Sequence, residues 1–376
     1  MSRLHLASPK VRSLRSTLPC ALVACIAAVA SGTHAAQPDA ENNAEKAAAP
    51  STKQVTAVIY STRGDEKIHV LNASDLSLLA SIDTGAGLHE LAVDSSGRFL
   101  VGSAYGGPSP GHLPADKRII IIDLAKAAVH KVVTLEDVER PNDIAFIPGT
   151  TDAYITAEAP QHLIKLNAVT GAYEKFPLRR GAGHMLSLSG DAKTVYVSHV
   201  MPGNLSVFNT TTSTTDKLIK LPEGAEAIAT SPDGSQVWVA SHSESRISIV
   251  TTASNEVTQS LILPGIPFRM EFAPSGKSVA VACPAANAVA FIDTSTPSLI
   301  RFVDTNILEG QSIKQQQSPK AVAYSPDGNT VFAVCSGEVQ SIVAIDTQTH
   351  RITNRVDTLG PIADALTTAT IQWPAS

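Results

Sequence analysis

The feature that most restricts how this chain can fold is self-similarity at a near-constant period. Ala227-Ile-Ala-Thr-Ser-Pro-Asp-Gly-Ser-Gln-Val-Trp238-Val, Ala321-Val-Ala-Tyr-Ser-Pro-Asp-Gly-Asn-Thr-Val-Phe332-Ala and Arg269-Met-Glu-Phe-Ala-Pro-Ser-Gly-Lys-Ser-Val-Ala280-Val are copies of one unit. Glu90-Leu-Ala-Val-Asp-Ser-Ser-Gly97 is a fourth, and weaker copies start at Asp143 and Met185. Each joins two short apolar strands through a Pro/Asp/Ser-Gly turn, which is the pattern of a β-hairpin. A third strand follows and ends on a turn residue, as in Ile120-Ile-Ile-Asp123, Leu205-Ser-Val-Phe-Asn209 and Ile342-Val-Ala-Ile-Asp346. A fourth comes after a polar bend, as in Lys217-Leu-Ile-Lys-Leu221.

The matched second-strand positions Leu100, Tyr154, Tyr196, Trp238, Ala280 and Phe332 are separated by 54, 42, 42, 42 and 52 residues. Four strands every ~40–45 residues predict propeller blades, whereas a two-layer sandwich needs no such period. Third strands number seven. The N-terminal copy opens on what reads as a second strand, Val55–Tyr60, and its missing first strand reappears at the other end. There Pro361-Ile-Ala-Asp-Ala-Leu resembles Pro319-Lys-Ala-Val-Ala-Tyr. The predicted fold is therefore all-β: a seven-bladed β-propeller over 54–373, four antiparallel strands per blade. The C-terminal strand joins blade one and so closes the ring and hides a sheet edge. A ring closed in this way is expected to be a monomer.

Residues 1–35 have the layout of a secretory signal. Arg3, Lys10, Arg12 and Arg15 precede an apolar run from Leu18 to Ala30, and Thr33-His34-Ala35 fits a small-x-small cleavage site. A second reading makes Leu22-Val23-Ala24-Cys25 a lipoprotein box with Cys25 lipidated; the apolar run continues past Cys25, which favours cleavage near Ala35. Residues 36–53 carry almost no large apolar side chain and read as a flexible linker. No other segment is apolar and long enough to span a membrane. The expected location is the periplasm or the exterior.

The chain has 29 basic and 34 acidic residues. Without the four basic residues of the signal the balance is 25 against 34, a net of −9. That balance lacks the broad positive field that attracts nucleic acid, so no nucleic-acid partner is expected. Beyond the signal only Cys283 and Cys335 remain, at one register in adjacent blades; whether they pair is left open.

The copies resemble the repeat named for Tyr-Val-Thr-Asn. The resemblance rests on the Ser-Pro-Asp-Gly turn, the following Val-aromatic-Val and the Ile-Asp-Thr after the third strand. The tetrapeptide itself is degenerate here, as in Tyr196-Val-Ser-His and Trp238-Val-Ala-Ser. The resemblance covers about 55–373 and implies periplasmic or secreted propellers. These include binding propellers, lactonase-type hydrolases and the heavy subunits of amine dehydrogenases.

Strand direction locates a site. Inner strands run down the central channel and second strands return, so the start of the first and the end of the second share one face. The residues just before each inner strand, Ile362, His89, Asn142, His184, Glu226, Phe268 and Lys320, should ring one mouth of the channel. Glu158, His199 and His242 come from the ends of second strands, with His199 and His242 one register apart, and Arg269 follows the ring in blade six. Both long insertions, 105–117 and 304–317, open on this same face, and binding concentrates on loops carried by a rigid scaffold.

The expected function is non-catalytic binding of a small ligand or protein partner at this mouth. A lactonase-type hydrolase and a dehydrogenase heavy subunit stand as alternatives. No catalytic residue is assigned, because no Gly-x-Ser-x-Gly elbow, His-Glu-x-x-His or Cys-x-x-Cys-His is present. No cofactor is predicted. A divalent metal on His89, His184 and Glu226 is the alternative, since three such ligands with an open position suit zinc or a similar ion.

Overall fold

A computed structural model of the chain describes residues 51–107, 114–178, 183–308, 311–312, 317–337, 339–360 and 363–375. The expected signal at 1–35 and the linker up to residue 50 lie outside the described residues, as does Ile362. Seven four-stranded antiparallel sheets form the blades of a closed β-propeller. The inner strands of blades one to seven are Ala363–Pro374, Leu88–Val93, Glu139–Phe146, Gly183–Leu188, Ala225–Thr230, Arg269–Phe272 and Ser318–Tyr324. Their partner second strands are Thr52–Thr62, Phe99–Ala104, Asp152–Ala159, Thr194–His199, Gln236–Ser241, Ser278–Cys283 and Thr330–Ser336. No helix among the described residues is long and apolar enough to cross a membrane.

Burial explains the composition of each strand. In blade five the second strand is buried after its first residue, while the outer strand Glu256–Ile262 is exposed along almost its whole length. A middle strand is covered on both faces by neighbouring blades, so it reads as a continuous apolar run rather than an alternating one. Trp238 is fully buried there, and its indole N–H is satisfied by Gln236 Oε1 at 2.8 Å. The Ser-Pro-Asp-Gly turns hold themselves in shape. Ser231 Oγ and the Ser235 N–H both donate to Asp233 Oδ1, and Gly234 takes the left-handed φ of 71° that the turn requires.

The inner strands carry a repeated irregularity. Near the channel mouth the pairing register slips, between Pro141 and Ile144 in blade three, Gly183 and Leu186 in blade four, and Ala225 and Ile228 in blade five. Such a bulge leaves backbone groups unpaired and re-aims the side chains it contains. In four blades a hydroxyl of the second strand takes up the freed N–H. Ser61 accepts from Ala365, Ser103 from Glu90, Thr156 from Asp143 and Ser198 from Met185. Three of these hydroxyls also donate to the next blade: Ser61 to the Leu88 carbonyl at 2.9 Å, Thr156 to His184 at 2.6 Å and Ser198 to Glu226 at 2.7 Å. Blades five to seven place Ala240, Ala282 and Val334 at the matching position, all buried.

Ring closure follows the predicted route and extends further. The C-terminal strand pairs antiparallel with Thr52–Thr62 from Thr52↔Pro374 to Thr62↔Ala363. The blade-two hairpin meets it closely: Gln372 donates its N–H to the Gly97 carbonyl, and a Cβ on Gly97 would collide with the Thr370 carbonyl. One register expectation is corrected. The bulge of blade one lies between Thr62↔Ala363 and Tyr60↔Leu366, so the residue equivalent to Asn142 and His184 is Asp364, not Ile362. Matching Pro361 to Pro319 misplaced the ring by two residues, because the structural equivalent of Pro319 is Ala363 and the bulge that follows is the same in both blades.

Candidate functional site at the channel mouth

In six blades a bulge places one ring residue at the mouth, blade six contributes Phe268 and Arg269 without one, and their chemistry is complementary around the ring. His184 is the centre. Its Nδ1 lies 2.7 Å from Glu158 Oε1 and its Nε2 lies 2.9 Å from Glu226 Oε1. Burial opposes charge on the imidazole, but Glu226 and Glu158 outweigh it and hold its pKa up near about 10. His184 is therefore an imidazolium donating to two carboxylates at neutral pH. Burial would raise the Glu226 pKa, yet His184 and then Arg269 hold it far below the usual carboxylate range. Glu158 is likewise held low against burial, chiefly by His184. It also accepts from Tyr105 Oη at 2.6 Å and from Asn142 Nδ2 at 2.9 Å. Asn142 is fully buried, and its Oδ1 has no hydrogen-bond partner.

One residue deeper, Arg269 crosses the lumen. Its guanidinium meets Glu226 Oε1 at 2.9 Å and Glu90 Oε1 at 2.8 Å, and so ties blades five and six to blade two. In a seven-membered ring blades two and six are as far apart as any two blades can be. The channel is thus bridged by an ion-pair network just below its mouth, and the mouth is a cup rather than a pore. Asp143 lines the same level, where burial and the nearby Glu90 push its pKa up to about 7. Glu271 is also pushed up to about 7 by burial, and accepts the Tyr324 N–H at 2.9 Å.

A second network occupies the blade-one side. His89 Nδ1 lies 2.8 Å from Asp364 Oδ2, and Arg63 Nη1 meets the same oxygen at 3.1 Å. The His89 ring also packs against Tyr105, with centroids 5.0 Å apart, and the Arg140 guanidinium lies 4.9 Å from the Tyr105 centroid. Arg63, Gly106 and Lys117 line a cleft of about 730 Å³ beside this sector.

Of the predicted site residues, Asn142, Glu158, His184, Glu226 and Arg269 meet in one network, and His242 stands at its edge with Nδ1 3.7 Å from Glu226 Oε2. His89 joins the Asp364 pair instead. Lys320 reaches over the Phe268 ring, its Nζ 5.7 Å from the centroid. His199 does not enter the mouth: it is fully buried, and its Nε2 lies 2.6 Å from Ser206 Oγ on the neighbouring strand. The three residues considered for a metal divide between two networks: His184 Nε2 faces Glu226 while its Nδ1 faces Glu158, and His89 faces Asp364. Cys283 and Cys335 are both buried and unpaired, and burial pushes each thiol up to about 12.

Sequence reasoning missed Glu90, Asp364, Arg63 and Tyr105. Glu90 sits one place after the ring, as Arg269 does, and that shared register was the available signal. Arg63 and Tyr105 come from the turns after second strands, where no repeat pattern points to them.

The architecture defines the chain as a closed seven-bladed β-propeller with a charged, internally bridged mouth. No protein-family model matches the chain, and no curated protein matches it. Among solved structures it is similar to hydrazine synthase of Kuenenia stuttgartiensis, at 22% identity and a TM-score of 0.42. The match covers 46% of this chain and 48% of that one, so it spans about half the length of the matched protein.

Proposed function

We propose that this chain is an exported binding propeller of the Tyr-Val-Thr-Asn repeat type. It acts in the periplasm or outside the cell and holds a small ligand at the channel mouth without transforming it. The observation that carries this reading is the convergence of Asn142, Glu158, His184, Glu226 and Arg269 into one network that closes the lumen from below. The cup also lies on the face from which both insertions leave. The bases of those insertions are tied down there, Arg63 Nη1 and Nη2 linking Asp364 to the Gly106 carbonyl and Thr305 Oγ1 donating to the Gln317 carbonyl.

Binding fits these groups better than hydrolysis. A general base must be free to take a proton from its substrate. His184 is already charged and bound at both nitrogens, while the nearby Thr156 and Ser198 hydroxyls are occupied as latches between blades. The test is native mass spectrometry of protein purified from its own host, comparing wild type with His184→Ala and Glu226→Gln, each checked for folding by circular dichroism. The expected result is a retained species in the wild type that both variants lose. Equal retention in all three proteins, or none in the wild type, would overturn the reading.

A further inference from the structure

The charges around the mouth are unevenly matched. Arg63, His184 and Arg269 each face a carboxylate at 3.1 Å or less. Lys320 does not. It occupies the same ring position in blade seven, and among the described residues its one close charged or aromatic contact is the face of Phe268. On the other side of blade six stands His242, 37% exposed. Its Nδ1 is buried and turned toward Glu226, so the exposed part of the side chain lies away from that atom. Phe268 itself is only half-buried, with the Arg269 guanidinium 4.6 Å from its centroid. The sector from blade five to blade seven therefore presents an uncompensated ammonium, an imidazole edge and an aromatic ring. Elsewhere in the mouth Arg63, His184 and Arg269 each have a carboxylate partner.

We infer that this sector binds a carboxylate carried on a flat apolar body. The carboxylate lies against Lys320 with the imidazole edge of His242 beside it, and the apolar body lies on Phe268. The chemistry follows from the groups. A lysine ammonium without a counter-ion gains a charge-assisted hydrogen bond when an anion enters. Arg269 and Lys320 lie over the Phe268 ring, so its remaining exposed surface favours a planar partner by apolar burial and edge contact. An organic cation would meet Lys320 head-on, because Glu226 and Glu158 are already taken by His184 and Arg269. The inference rests on the binding reading above and names its ligand class.

A free small acid and the C-terminal carboxylate of a peptide share this chemistry, and the arms of the experiment separate them. Binding of benzoate and of the tripeptide Ala-Ala-Phe is measured by saturation-transfer NMR on the whole protein, each against its amide, with benzylamine as the cationic control. Wild type is compared with Lys320→Gln and Lys320→Arg, both confirmed folded by thermal melting. The expected result is saturable binding of at least one carboxylate, at least about tenfold weaker binding of its amide, and a similar loss in Lys320→Gln that Lys320→Arg restores. Benzoate alone binding assigns a free acid; the tripeptide alone binding assigns a chain terminus. Three results would each overturn the inference: no carboxylate binding, amides bound equally well, or an unchanged Lys320→Gln. A neutral or cationic species retained in the native preparation would overturn it and leave the binding reading standing. An empty native preparation together with silent probes would overturn both.

Discussion

At the scale of single residues, the pKa of His184 makes the mouth sensitive to pH in a definite direction. Its folded value, about 10, lies above the ordinary 6.5. A raised value in the folded state means that the charge stabilises the fold. That contribution is complete below 6.5 and is lost as pH climbs through about 10. The carboxylates on either side act in the opposite sense. Glu158 and Glu226 are held below 4.5, so their contribution is present above that value and is lost in acid. In urea unfolding, wild type should exceed His184→Gln by a wide margin at about pH 6 and by little above about pH 10. A margin that stays constant over that range would mean that the imidazole is not charged in the folded protein.

The scale of elements turns on the bulges. Ser198 takes up the Met185 N–H and caps the Glu226 carbonyl of the next blade, so one hydroxyl fixes the backbone on which Glu226 is carried. Ser198→Ala would leave both buried groups unsatisfied, at a cost of about 1–3 kcal/mol. Ser198→Thr should cost much less, because Thr156 already fills this role in blade three. The midpoints of denaturant unfolding of the two variants decide it, and equal losses would remove the latch from the account. These latches also mark the limit of what could be read in advance. The strands, turns and blade count were legible because burial between blades and the geometry of tight turns leave strong local patterns. A bulge leaves no such pattern. Asp364 was missed at the ring because Pro361, and not Ala363, was matched to Pro319, and Ile362 was set in its place. Glu90 was missed for a different reason: its partner Arg269 is distant in sequence and meets it only across the lumen. His184, Glu226 and Asn142 were found although their blades carry the same bulge, because the repeat around them aligns without ambiguity.

At the scale of the whole molecule, everything at the mouth depends on ring closure by the last strand. Ala363–Pro374 covers the edge that Val58, Ile59 and Tyr60 would otherwise expose. It also inserts Ile371 and Trp373 into the core shared with Ala57 and Ile59. Each large apolar side chain buried in this way contributes about 1.5–3 kcal/mol. The same strand carries Asp364, the carboxylate that faces both Arg63 and His89. A chain ended at Gly360 should therefore fail in two ways. Its open edge is an unpaired strand template, so the protein should self-associate on size-exclusion chromatography. Arg63 would lose its counter-ion and His89 its hydrogen-bond partner, which alters the blade-one side of the mouth. Adding the segment 361–376 as a separate peptide should reverse that self-association, because the strand binds by backbone pairing along a preformed edge. A truncated chain that stays monomeric and melts like the full-length protein would show that six blades and a three-stranded seventh suffice. The closing strand would then serve the mouth alone.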